Sequence, residues 1–336
     1  MEIVVEETNK PKKNKGAAFK RTTRFLYSQR GWLFILPALA LMAVFTFYPI
    51  VSALVTAFMN NYKGLTGKYD GFGIDNFKTI ITGNVDGATF TTCLVNTLLF
   101  AAISVPVSTL LALFISVALN SIKALRKVFQ TIFFLPYLTS ALAMGAVFAS
   151  FFNVVGTSSM VESPGLFNNF LILIGAKPIN WINETAYGSP FNPWAGRFVV
   201  ILYSVWAGLP FKILILFSAL QGVSKQYYDA AKIDGASKHT VLWKITVPLI
   251  SPMISYLVIT GFMGGLKSYT SIVGIFGNAM GPNSQKYAMG TMVGYIYACI
   301  GKGATGLAAA GSLILFAIIM VVTAVNLYVS KKRVHY

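Results

Sequence analysis

Acid is scarce in this chain: 10 Asp and Glu stand against 27 Lys and Arg among 336 residues, and the long apolar runs are all but free of them. A proton relay needs ionisable groups along its path, so a carrier driven by protons is disfavoured. Histidine occurs twice, once next to the C-terminus, which leaves nothing from which to assemble a catalytic constellation. Cysteine also occurs twice, at Cys93 and Cys299, too few for a disulfide framework or a thiolate metal site. Both are expected to be buried packing residues. No G-x4-GK[ST] phosphate loop is present, the nearest approach being Gly67-Lys68 followed by Tyr69. Strand alternation of the outer-membrane barrel type is missing, as is any repeat with a period of about 20 to 50 residues.

What the chain has instead is apolar length. Hydrophobic residues make up 55% of it and charged residues 11%, a composition that belongs in a bilayer. A helix crosses the hydrocarbon core with roughly 20 apolar residues. Charge-free runs of that order lie at about 32–58, 94–119, 128–152 and 304–329, and two more, 198–220 and 249–276, carry one lysine each, Lys212 and Lys267. The expectation is an all-α membrane protein with six transmembrane helices. The first run is too long for a signal-peptide core and has no small-residue cleavage pattern after it, so it counts as a span.

Cytoplasmic flanks are enriched in Lys and Arg. With both termini inside, the inner segments hold 18 basic residues and the outer segments seven. The net charge of +17 is spread over these flanks instead of forming one patch, which points to anionic membrane lipids as counter-charge and not to nucleic acid. Residues 1–30 form a basic cytoplasmic tail, with 31–336 as the transmembrane domain. In the outer loops, the IDNFKTIITG stretch predicts a short helix and Phe167 to Ile174 an interfacial or re-entrant one. Prolines 37, 49, 106, 136 and 210 permit kinks. Gly261-x-x-x-Gly265 and Gly290-x-x-x-Gly294 permit close helix packing.

The most informative segment is polar: YDAAKIDGASKHTVLWKITVPLISP, Tyr228 to Pro252, within a cytoplasmic loop at 225–248. Helix signals stop at Gly235 and restart after Ser237, a good cap, giving helix, turn, helix. Alanines 230, 231 and 236 leave a close-approach surface, and Tyr227, Tyr228, Val241, Leu242 and Trp243 add apolar bulk suited to a protein partner. Asp229-Ala230-Ala231, Gly235 and Ile245-x-Val247-Pro248 together resemble the EAA motif, EAA-x3-G-x9-I-x-LP, of binding-protein-dependent ABC importer permeases, with Asp for Glu at 229 and Val for Leu at 247. The IDGA of Ile233 to Ala236, the stretch Asn96 to Asn120 and RKVFQTIFFLPY at Arg126 to Tyr137 are similar to the carbohydrate-type branch, which contains maltose, glycerol-3-phosphate and multiple-sugar permeases.

The resemblance implies the type I importer permease fold with both termini cytoplasmic. It also implies a second permease as heterodimer partner, an ATPase dimer that binds ATP and Mg, and an extracytoplasmic solute-binding protein. The chain itself would carry no cofactor and perform no catalysis. Asp229 would anchor the ATPase ionically. Ala230, Ala231 and Ala236 would form the packed face, Gly235 the hinge, and Ile245 and Pro248 the motif's end. For cargo, the family's Gly-x-Pro-Tyr stretch matches Gly208, Leu209, Pro210 and Phe211, and its Asn-rich stretch falls near Gly265, Lys267, Ser268 and Tyr269 without the asparagines. Aromatic and polar residues of the same two spans, Tyr203, Trp206, Lys212 and Tyr256, join these as candidates. Competing readings are an ABC permease for a phosphodiester or peptide, a secondary transporter, and a membrane factor that only docks cytosolic proteins.

Overall fold

The computed structural model of the chain describes residues 32, 34–85, 88–122, 126–157, 160–186, 189–282 and 289–333. The tail at 1–30 lies outside the described residues. The chain divides into two units, residues 1–55 and 56–336. The described part of the first is an apolar helix, α1 (Phe34–Ala57), exposed over nearly its whole length up to residue 55. It widens into a π-turn at Ala43–Phe47, where the Tyr48 N–H bonds back to the Ala43 carbonyl just ahead of Pro49.

In the second unit, α2 (Asp75–Thr82) is the short helix expected in the first outer loop. It precedes α3 (Phe90–Ser121), which runs unbroken through Pro106. Next come α4 (Val128–Leu138) and α5 (Ala141–Phe152), then α6 (Gly165–Leu173), on the stretch expected to be interfacial. The long α7 (Pro193–Gly222) likewise continues through Pro210. It leads to α8 (Lys225–Ile233), α9 (Lys238–Leu249) and α10 (Ser251–Gly265). The chain finishes with α11 (Thr270–Phe276), α12 (Met292–Gly301) and α13 (Thr305–Arg333). Among the described residues, three short antiparallel hairpins, such as Asn84–Val85 with Ala88–Thr89, lie in the loops.

Among the described residues, helices α1, α3, α7 and α13 are long and apolar enough to cross a membrane, and the number rises to six only if each bent pair counts as one span. The runs at 128–152 and 249–276, each expected to be one span, are both bent. The first turns by 99° between α4 and α5: a 3-10 turn, Leu135–Leu138, contains Pro136, and Thr139 and Ser140 are extended. The second turns by 69° at Ile250, two residues before Pro252. It breaks again at 266–269, ahead of α11. Hydropathy is blind to both features because the residues at the bends are uncharged.

The most extensive packing joins α3 to α7, with α10 against α3 and α11 against α5. The buried face of α3 is lined with small hydroxyls, a composition that lets helix backbones approach closely. Several donate within their own helix, Thr97 to the Cys93 carbonyl at 2.7 Å, Ser104 to Phe100 at 2.6 Å and Thr109 to Val105 at 2.7 Å, while Ser116 donates across to the Ile213 carbonyl of α7 at 3.2 Å. Gly261 and Gly265 bring α10 onto Val105 and Ala101 of α3, and a Cβ at Gly145 would lie 2.7 Å from the Gly274 Cα on α11. Cys93 and Cys299 are both buried and unbridged. The exposed faces are as apolar as the interior: Leu110 and Phe114 on α3, Phe316, Met320 and Val321 on α13. A surface of that kind is stable against lipid and not against water.

Candidate functional site

The segment singled out in the sequence folds as a helix, a tight turn and a second helix. Ser224 caps α8 by accepting the Gln226 N–H, and the helix closes on a left-handed glycine, Gly235 at φ +66°. The Ala236 N–H reaches the Ala231 carbonyl at 2.9 Å and the Gly235 N–H the Lys232 carbonyl at 3.1 Å, the paired bonds of a Schellman motif. Ser237 then caps α9, accepting the Thr240 N–H at 3.2 Å. A π-turn at Leu242–Thr246 leads into Pro248, and the buried Thr246 hydroxyl donates to the Val241 carbonyl at 3.2 Å and to the Tyr228 hydroxyl at 3.4 Å, tying the two helices together. Trp243 meets Phe114 of α3 edge-on, 6.5 Å between ring centroids, which joins the loop to a long membrane helix.

The motif residues divide between the two sides of this unit. Ala231 is buried against the chain's own interior, while Ala230 and Gly235 are exposed and Asp229, Ala236, Ile245 and Pro248 half-buried. Asp229 makes a 3.7 Å ion pair with Lys232 within its own helix. Ile233, next to this corner, is 87% exposed, and Tyr227 is also open. The polar loop thus holds large apolar side chains outward.

The cargo candidates do not gather in one place. Gly208 and Phe211 line a cavity of about 240 Å³ together with Tyr137, Lys212, Thr260 and Gly261. Phe211 stacks on Tyr137 at 6.0 Å, and Tyr137 on Phe134 at 5.3 Å. Trp206 packs instead against Phe148 at 5.2 Å. Tyr203 is a strut, its hydroxyl donating to the Ala141 carbonyl at 2.7 Å across the bend between α4 and α5. Tyr256 is exposed. Gly265 packs on Ala101. Lys267, expected deep in an apolar span, sits exposed on the turn after α10 because the helix has ended at Gly265. Ser268 bonds to Ser271 at 2.8 Å, and Tyr269 stacks on Tyr297 at 4.4 Å.

The buried lysine is Lys212, 6% exposed on α7. Its ammonium donates to the Ser108 hydroxyl at 2.5 Å, the Thr109 hydroxyl at 3.0 Å and the Val105 carbonyl at 3.2 Å. Sequence reasoning did not single out Tyr137, Thr260, Ser108 and Thr109 as its surroundings. The signal available was one lysine in an apolar run, together with hydroxyls at helical spacing on another.

Comparison with known proteins supplies the context. Residues 108–335 match the family described as binding-protein-dependent transport system inner membrane component. The lactose transport system permease protein of Rhizobium radiobacter is 30% identical over 278 residues, 81% of this chain and 83% of that one. The arabinooligosaccharides transport system permease protein of Bacillus subtilis is 29% identical, covering 90% of each chain. A solved bacterial ABC transporter involved in the import of the acidic polysaccharide alginate contains a chain similar in fold, with TM-score 0.71 and 22% identity over 92% of this chain and 99% of that one. With a family match over more than half its length and relatives that are transport permeases and not enzymes, the chain belongs to the binding-protein-dependent transport system inner membrane components, multi-pass proteins of the cytoplasmic membrane.

Proposed function

We propose that the chain is one of two permease subunits of an ATP-driven importer that carries a carbohydrate delivered by an extracytoplasmic solute-binding protein. The observation that carries the reading is the rigid corner at Asp229 to Gly235. A capped helix, a Schellman closure and an outward isoleucine occupy the span that matches the EAA motif in spacing. On this reading the corner sits in a groove of an ATPase subunit. Asp229 faces a basic residue there, and Ala230, Gly235 and Ala236 allow close approach. ATP and Mg bind to that partner. Each bent helix pair counts as one crossing, which gives six spans with both termini in the cytoplasm, consistent with the basic inner flanks. ATP binding and hydrolysis shift the pair of permeases between inward-open and outward-open states, with α9 and α10 transmitting the motion.

Sugar cargo is supported by the names of the relatives, which include lactose, arabinooligosaccharide and multiple-sugar permeases. The test is reconstitution in proteoliposomes with the second permease, the ATPase and the binding protein. Saccharide accumulation that requires ATP is the expected result. Accumulation driven by an ion gradient without ATP would establish a secondary transporter instead.

A further inference from the structure

We infer that the cavity beside Lys212 is a cargo subsite that takes an anionic group, a carboxylate or phosphate borne by the carbohydrate; the inference rests on the permease reading above. A charge held at membrane depth is costly and calls for a named partner. The surroundings of Lys212 supply hydrogen-bond acceptors and no counter-charge: two hydroxyls and a carbonyl, all neutral. The chain cannot supply one from a neighbouring span, because none of its 10 acidic residues lies within an apolar run. A structural tether between α3 and α7 needs only hydrogen bonds, which a neutral side chain would provide without the cost of burying charge.

The lysine also borders open space; its three N–H donors are taken by α3, so what it offers the cavity is charge and not a free donor. Lys212 lines the cavity that Gly208 and Gly261 keep open, with the Thr260 side chain on the wall and the Phe211–Tyr137 stack at one side. A Cβ at Gly261 would lie 3.6 Å from the Lys212 Nζ, so a larger residue there would crowd the cation. Aromatic faces beside hydrogen-bonding groups suit a sugar ring, and the positive charge attracts an acid on it. The volume of about 240 Å³ falls below the roughly 300–1,000 Å³ of complete small-molecule pockets, as expected of half a site that a facing permease completes.

The test uses the full reconstituted transporter and three probes: a short oligouronate, the same oligosaccharide after carboxyl reduction, and sn-glycerol 3-phosphate. The wild type is expected to take up an anionic probe at least tenfold faster than the reduced one. Lys212→Gln, which keeps two N–H donors and loses the charge, should remove that preference, and Lys212→Arg should keep it. Preference for the reduced oligosaccharide in the wild type, or undiminished uptake of the anionic probe by an assembled Lys212→Gln transporter, overturns the subsite and leaves the permease reading standing. If Lys212→Gln fails to assemble, Gly261→Ala, which crowds the cation, takes its place: a reduced anionic preference supports the subsite and an unchanged one overturns it. Absence of ATP-dependent uptake for all three probes overturns the carbohydrate reading itself and the subsite with it.

Discussion

Gly235 and Asp229 show how single residues in the loop separate stability from coupling. At φ +66° a side chain meets no neighbour within 4 Å, so a substitution there costs backbone strain and nothing from packing. For most residues that strain is about 1–2 kcal/mol, and asparagine carries less of it than a β-branched residue. Gly235→Val should therefore insert in the membrane normally yet lose ATP-driven uptake, whereas Gly235→Asn should retain most of it. Equal uptake by both variants would remove the turn from the coupling path. Asp229 holds only an exposed pair with Lys232 in its own chain, an interaction worth ~0–1 kcal/mol. Asp229→Asn should leave the thermal stability of the isolated permease unchanged and weaken capture of the ATPase severalfold in a co-purification assay. Unchanged capture would dispose of the ionic anchor.

Between α5 and α11, Gly145 and Gly274 bring backbone against backbone. A valine at 145 has no side chain to displace, only main chain, so Gly145→Val should cost at least the roughly 1–3 kcal/mol of ordinary overpacking. Thermal unfolding in detergent reads that loss directly. Gly222→Ala, which meets nothing within 4 Å, is the matched control and should change little. Four long helices were legible as charge-free runs, and the loop's helix, glycine turn and Ser237 cap were legible from local chemistry. The bends were not. Thr139 and Ser140 are uncharged and Ile250 is apolar, so a search for charge-free runs passes over all three although their backbone turns. The environment of Lys212 was hidden for a different reason: its partners lie 103 to 107 residues away in sequence, and no local pattern joins them.

For the molecule as a whole, sidedness turns on which loops meet the cytoplasm, and the basic flanks argue for Lys244 inside and Lys68 outside. The two thiols described above bear on how that is settled. Cys93 and Cys299 are each 0% exposed, and a membrane-impermeant maleimide cannot reach a sulfur packed among apolar side chains. The unmodified chain should stay unlabelled in intact cells, so no cysteine-free background has to be engineered and no core residue disturbed. Lys68→Cys should then react from outside, and Lys244→Cys only after the membrane is permeabilised. The reverse pattern would invert the protein and, with it, the side from which an ATPase could reach Asp229. The native thiols thus serve as a built-in blank for mapping topology.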